Sequence, residues 1–271
     1  MAQIRERNAV LALLIGVLVT ASVDATRADL AKARSFYNQR QFDQAIESAT
    51  AALGTPATSN AATVVLARAH LERYRERADP ADLAAARTAL GNVITGDLEA
   101  SDRVDFLLAL GQALFLQDDY GAAARLFESG LSSAGEVGPE PLEAMLDWWG
   151  SAVERYADSL DRDKRPAAFA RLGDRMALEL AHNPGSGAAG YWSVVAARGS
   201  GDAAAAWDLA IASWVRARLA GKRAASLRAD LDKLVLEGII PDLVRTIPAD
   251  RRDQEMSLLR AEWELIKQRW K

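Results

Sequence analysis

The chain has little of the side-chain chemistry on which many enzymes and metalloproteins depend. Its 271 residues contain no cysteine and only two histidines. The absence of cysteine excludes disulfide bridges, thiol nucleophiles and thiolate metal sites. His70 and His182 also lack the H-E-x-x-H spacing of a metal-binding helix. We therefore expect both histidines to be structural, and we expect neither a metal nor a cofactor.

A long apolar run is also missing. Even when the N-terminal apolar run Ala9–Val19 is extended to Val23, it reaches only 15 residues. A membrane-spanning helix needs about 20. Arg5 and Arg7 precede the run and small residues follow it, which is typical of a secretory signal peptide, here residues 1–25. An exported, periplasmic or cell-envelope protein is therefore predicted. Two alternatives remain: an inner-membrane anchor formed by residues 9–23, and an N-terminal helix buried in a cytoplasmic adaptor.

The charge is close to balanced. There are 33 basic and 37 acidic residues, for a net charge of -4, whereas nucleic-acid-binding domains are usually strongly basic. No nucleic-acid partner is therefore expected. Basic clusters at residues 73–77 and 216–223 are interpreted as solvated helix ends and loops. Membrane contact is expected only through the N-terminal segment, if that segment is not cleaved.

Alanine, in contrast, is abundant, with 55 residues in the chain. Alanine is the strongest helix former and lets helices approach closely, so the composition favours an all-α protein. Residues 108–131 place small residues at Gly111 and Ala123, with large residues around them and a turn at Asp118-Asp119. This segment resembles the tetratricopeptide repeat (TPR). The resemblance implies an α-solenoid of antiparallel helix pairs.

The repeat pattern divides the chain after the signal segment. TPR-like repeats are predicted over residues 26–221, and their alanines Ala45, Ala86, Ala123 and Ala206 correspond to one another. The predicted units are 28–57, 59–97, 100–135, a degenerate unit at 139–184, and 186–220. The remaining residues, 222–271, are predicted to form a helical cap. The helix is expected to be interrupted at Gly238 and Pro241, and a final helix is expected from about Asp250 to Trp270.

The last predicted helix carries an apolar stripe. Its members recur at intervals of three and four residues: Met256, Leu259, Trp263, Ile266 and Trp270. Because a stack of repeats leaves its last apolar face uncovered, this stripe favours a cap over that face. A homodimer formed through the same helix is the alternative.

In the TPR family the first helix of each unit lines a concave groove that holds a peptide or protein. The resemblance therefore implies a partner-binding role for nine residues: Arg34, Tyr37, Asn38, Arg68, Leu71, Glu72, Gln112, Phe115 and Leu116. Some members of the family grip a terminal carboxylate with lysine and asparagine. Leu30 and Arg34 occupy the first pair of those positions here, which argues against that mode.

No catalytic constellation is evident. The stretch Gly185–Gly190 fits the spacing G-x-G-x-x-G, but a dinucleotide loop must follow a buried strand and this one follows a predicted helix. The expected function is therefore that of an exported, non-enzymatic scaffold for an unidentified protein or peptide. The alternative is an enzyme or accessory domain that acts on cell-wall sugars, which would need two carboxylates beside a cleft.

Overall fold

A computed structural model describes residues 24–271, except for the side chain of Lys222. All regular secondary structure in that range is helical, which confirms the predicted all-α class. The α-helices are α1 (residues 24–38), α2 (Phe42–Ala52), α3 (Pro56–Arg77), α4 (Pro80–Gly91), α5 (Ala100–Phe115), α6 (Tyr120–Val137), α7 (Pro139–Ser159), α8 (Arg165–His182), α9 (Gly187–Gly199), α10 (Ala203–Arg216), α11 (Ala224–Leu234), α12 (Ile240–Leu243) and α13 (Ala249–Arg269). The predicted signal segment falls on residues 1–25, of which only Asp24 and Ala25 are described.

Local sequence explains where several helices begin. Proline stands in the first turn of α3, α4 and α7, where a backbone N–H has no partner within the helix. The side chain of Asp119 accepts a hydrogen bond from the backbone N–H of Ala122 and so caps α6. Asp118 has a φ of 62°, a left-handed conformation that aspartate tolerates. The predicted turn at Asp118-Asp119 is therefore confirmed.

The chain divides into two compact units, one ending at Asp118 and the other spanning Asp119–Lys271. The boundary lies inside the third predicted repeat, 100–135, and assigns its two helices to different units. Within the first unit, α3 packs against α2, α4 and α5. Within the second unit, α6 packs on α7, and α9 packs on α7, α8, α10 and α11.

Small residues are buried between the helices of both units, which agrees with the close packing that the composition predicts. The four corresponding alanines, Ala45, Ala86, Ala123 and Ala206, have no exposed surface. Adjacent tryptophans on α7 separate in the expected way, since neighbouring helix positions point about 100° apart. Trp149 is buried in the core, whereas Trp148 is half-buried and stacks on Phe127, with 6.1 Å between the ring centroids.

The C-terminal region corrects one prediction. Gly238 and Pro241 do not interrupt the helical path, because a π-helical turn at Val235–Ile239 joins α11 to α12. Pro241 lies in the first turn of α12, where its missing N–H is tolerated. The final helix is observed at Ala249–Arg269, close to its predicted position.

The stripe on α13 covers part of the core of the second unit. Trp263 is fully buried among residues of α10 and α11, and Met256, Leu259 and Ile266 pack against the same cluster. Trp270 lies at the end of the stripe and is 40% exposed. Covering this core is what the cap prediction requires of the helix.

Candidate functional site

In the first unit, helices α1, α3 and α5 together line a small cavity. Its volume is about 120 Å³, and its lining residues are Arg34, Tyr37, Asn38, Val65, Arg68 and Asp105. We call it the α1/α3/α5 cavity. Four of the nine residues predicted to bind a partner therefore meet at one place: Arg34, Tyr37, Asn38 and Arg68.

Arg68 is the central side chain of this cavity. Its guanidinium lies 4.4 Å from the centroid of the Tyr37 ring and forms an ion pair with Asp105, with an Nη1 to Oδ2 distance of 2.5 Å. The Nε atom of Arg68 is buried and has no hydrogen-bond partner among the described residues. Burial raises the pKa of the Tyr37 hydroxyl, and it also raises the pKa of Asp105 in spite of the nearby arginine. The cavity is thus a partly dehydrated site with one unused donor.

A second ion pair ties α1 to α5. Arg34 Nη2 lies 2.6 Å from Asp102 Oδ1, and the Asp102 side chain is 9% exposed. Sequence reasoning missed both Asp102 and Asp105. Their spacing of three residues, which places them on one face of α5, was the only signal available.

Two of the predicted binding residues must be reassigned. Leu71 has no exposed surface and packs in a core cluster with Ala67 and Ala86. Gln112 is 5% exposed. Neither residue offers surface to a partner in this conformation. Helix geometry explains the difference, because successive residues of an α-helix point about 100° apart, so that neighbours in the chain face different surroundings.

The remaining predicted residues lie further along the same helices. Glu72 is half-buried, and its carboxylate accepts a hydrogen bond of 2.7 Å from Arg75. Phe115 and Leu116, at the end of α5, are half-buried. Leu116 packs against the same core cluster as Leu71. The binding roles of Glu72, Phe115 and Leu116 stay predictions.

The basic cluster at residues 73–77 is paired with acids of the first unit. Arg73 bridges Asp82 of α4 and Asp43 of α2, and Arg77 also pairs with Asp43. His70 Nδ1 lies 2.7 Å from Asp82 Oδ1, so this histidine has a structural partner. These contacts tie α2, α3 and α4 together.

In the second unit, alternate helices again share a surface. Three adjoining cavities have volumes of about 360, 390 and 310 Å³; the first lies along α7, α9 and α11, the second lies along α9 and α11, and the third lies along α7 and α9 and extends to α8 and α12. The first two share Tyr191 and Asp230, and the third reaches them through Glu154 and Arg198. We call this continuous surface the α7/α9/α11 groove.

Helical spacing explains how the groove residues come to face one way. Asp147, Ser151, Glu154 and Asp158 follow one another on α7 at intervals of four, three and four. From Asp147 to Asp158 the helix rises about 16 Å, at 1.5 Å per residue. Tyr191 and Arg198 are seven residues apart on α9, and Asp230 and Glu237 are seven apart on the opposite wall. The groove is therefore long enough for about five residues of extended chain.

Tyr191 stands at the middle of this groove. Burial raises the pKa of its hydroxyl to about 12, and the negative charges of Glu154, Asp230 and Asp147 contribute in that order. Burial also raises the pKa of Glu154, with a further contribution from Asp158. The floor of the groove is thus electrostatically negative.

Three of the four arginines that line the groove have acidic partners, and the fourth, Arg165, donates hydrogen bonds to backbone carbonyls. Arg198 Nε lies 2.7 Å from Asp242 Oδ2, and Arg223 pairs with Asp147 at 2.9 Å and with Glu143 at 3.5 Å. Arg223 belongs to the second basic cluster of the sequence analysis, and these pairs give it a structural role.

The G-x-G-x-x-G stretch lies at one end of the groove. It follows helix α8 rather than a strand, and its last four residues form the first turn of α9. Ser186 caps that turn, and Glu143 accepts a hydrogen bond of 3.0 Å from the backbone N–H of Ala188. A side-chain carboxylate therefore already occupies the place where a dinucleotide loop binds phosphate.

Known proteins give no guide to this site. The chain matches no protein-family model, no curated protein and no solved structure. Among residues 24–271, no helix is long and apolar enough to cross a membrane, and no three acidic or histidine side chains are grouped to hold a metal ion. The geometry of the α1/α3/α5 cavity and of the α7/α9/α11 groove is therefore what indicates a function.

Proposed function

We propose that the protein is an exported scaffold that binds a segment of another protein and has no catalytic chemistry of its own. The arrangement of Arg34, Tyr37 and Arg68 around one cavity carries the proposal. These three side chains come from two alternate helices, as a TPR-like stack requires of its binding face. Tyr37 and Arg68 are half-buried, Arg34 is exposed, and aromatic and arginine side chains are the types that dominate binding energy at protein interfaces.

The cavity is small, so it suits one side chain of a partner rather than a whole ligand. Arg68 supplies a buried donor at Nε, and the exposed Asn38 stands at the rim. A buried donor without a hydrogen-bond partner costs free energy. A partner side chain with an acceptor group could bind this donor and remove that cost. This combination of a pocket and a polar rim is typical of peptide recognition.

Site-specific photocrosslinking tests the binding face. A photoreactive amino acid replaces Asn38, and the matched control replaces Gln44, an exposed polar residue on α2 that does not line the cavity. Irradiation of intact cells should give a discrete crosslinked product from position 38 and none from position 44. No product from position 38, or the same products from both positions, would contradict the assignment.

Two further measurements test the rest of the proposal. N-terminal sequencing of the protein from its native host should find Thr26 at the start of the chain in an envelope fraction, and an intact Met1 in soluble cytoplasm would refute export. Incubation of the purified protein with peptidoglycan should release no soluble fragments. Release of such fragments would refute the absence of catalysis.

A further inference from the structure

We propose that the α7/α9/α11 groove binds a basic segment of a partner protein, with one lysine or arginine side chain held between Glu154, Asp230 and the hydroxyl of Tyr191. This inference rests on the proposed scaffold function, but it concerns a surface separate from the α1/α3/α5 cavity. It also names the chemistry of the partner.

Unused carboxylates are the first support for it. Four acidic side chains line the groove without an ion pair or hydrogen bond from any side chain among residues 24–271: Glu154, Asp158, Asp230 and Glu237. The guanidinium groups of Arg198 and Arg223 are committed to Asp242 and to Asp147. Among the described residues, Lys233 and Arg165 are the lining cations that have no acidic side-chain partner, so the four unpaired carboxylates still outnumber the unpaired cations of the groove. Complementary charge is therefore expected on whatever binds there.

The position of the carboxylates is the second support. Glu154 on α7 and Asp230 on α11 line the same cavity as Tyr191, which lies on α9 between those two helices. Burial is the main reason why the pKa of the Tyr191 hydroxyl is raised, and the charges of both carboxylates add to it, which indicates that they lie near that hydroxyl. An ammonium or guanidinium group placed there would meet acceptors from three helices. The Tyr191 ring would add a face for a cation.

Rigid walls are the third support. Trp192 donates a hydrogen bond of 3.0 Å from its indole Nε1 to Asp147, which fixes α9 to α7. Gly238 lies beneath the guanidinium of Arg198, where a Cβ atom would approach to 2.8 Å. The missing Cβ atom leaves room for Arg198 to pair with Asp242, although the charge of Arg198 still acts on Glu154. The acceptors are thus held in place before a ligand arrives, which lowers the entropic cost of binding.

Fluorescence anisotropy with a labelled peptide tests the proposal. The probe is a fluorescein-labelled, acetylated hexapeptide with two lysines separated by two alanines, and its counterpart has glutamates in place of the lysines. We expect saturable binding of the lysine peptide by the full chain and much weaker binding of the glutamate peptide. The affinity for the lysine peptide should fall as salt is raised, because salt screens exposed charge.

Charge-removing variants locate the binding. The isosteric double variant Glu154→Gln with Asp230→Asn should lower the affinity for the lysine peptide about tenfold, because loss of close charge contacts weakens binding at interfaces. Tyr191→Phe should weaken it less, by about threefold, because the ring and its cation contact remain. The matched control is Asp174→Asn with Asp208→Asn, which removes the same charge from exposed positions of α8 and α10 outside the groove.

The outcomes separate this proposal from the scaffold function. Absence of lysine-peptide binding, equal binding of the two peptides, or equal weakening by the groove and control variants would overturn it, provided that circular dichroism shows every variant folded. A crosslink from position 38 would then still support the scaffold. Binding lost only in the groove variants would support the groove even if position 38 gave no crosslink.

Discussion

Replacement of Trp263 by alanine should remove much of the stability of the second unit. The Trp263 side chain is fully buried, with ring centroids 6.0 Å from Trp207 and 5.3 Å from Trp214. Burial of roughly 200 Å² at about 25 cal/mol per Å² corresponds to about 5 kcal/mol, of which alanine would retain a small part. Its indole Nε1 also donates a hydrogen bond of 2.7 Å to Asp232, which adds about 1 kcal/mol.

Rearrangement of residues around the space that the Trp263 ring leaves offsets part of that free energy. Lys267 Nζ also lies 2.7 Å from Asp232, so the carboxylate keeps a partner when the indole is removed. We therefore expect Trp263→Ala to lower the free energy of unfolding by about 4 kcal/mol, within the range known for large-to-small changes in cores. Trp263→Phe should cost less, because the larger part of the ring volume remains.

Urea unfolding followed by circular dichroism measures this loss. The matched control is Leu265→Ala on the same helix, where the side chain is 62% exposed and the expected cost is below about 0.5 kcal/mol. If Trp263→Ala cost no more than Leu265→Ala, α13 would not act as a cap. The exposed positions of α13 would then be the better candidates for a role of the helix.

Three further results are expected from single changes. Gly150→Ala should destabilise the protein by about 3 kcal/mol in thermal unfolding, since its Cβ atom would lie 2.2 Å from the Trp192 ring. Gly91→Ala should stabilise it by about 0.5 kcal/mol, because nothing lies within 4 Å of that Cβ at the end of α4. Burial acts to raise the pKa of Asp82, but its hydrogen bonds from Arg73 and His70 lower it overall, so Asp82 should contribute stability above about pH 4 that is lost as the pH falls through its folded pKa. Arg73→Gln should flatten that acid limb when stability is measured from pH 2 to 7.

The sequence predicted the helices well because their signals are local. The small residues at recurring positions and the Asp118-Asp119 turn each depend on a few neighbouring residues. The error at Gly238 shows the limit of such signals. A glycine followed three residues later by proline usually ends a helix, but one extra residue in a π turn shifts the register so that the chain continues through α12.

The candidate site was predicted less completely, since it depends on how each helix is rotated about its axis. Leu71 and Glu72 are adjacent in the chain, yet one is fully buried and the other keeps exposed surface. The pattern of small residues fixes which helices touch, with an uncertainty of about one residue in rotation. Asp105 was missed for a further reason, because its role comes from an ion pair with Arg68 that is 37 positions away in the chain.

The two binding surfaces differ in what a ligand must displace. In the α1/α3/α5 cavity, Arg68 and Asp105 already form an ion pair with each other. A charged ligand must therefore separate that pair or bind only to the remaining Nε donor of Arg68. In the α7/α9/α11 groove, Glu154 and Asp230 are unpaired, so a cation gains contact without breaking one. Removal of one partner from a buried pair costs more than the pair itself contributes. For this reason a lysine-rich segment should prefer the groove of the second unit, and the cavity of the first unit should select a neutral side chain that carries a hydrogen-bond acceptor.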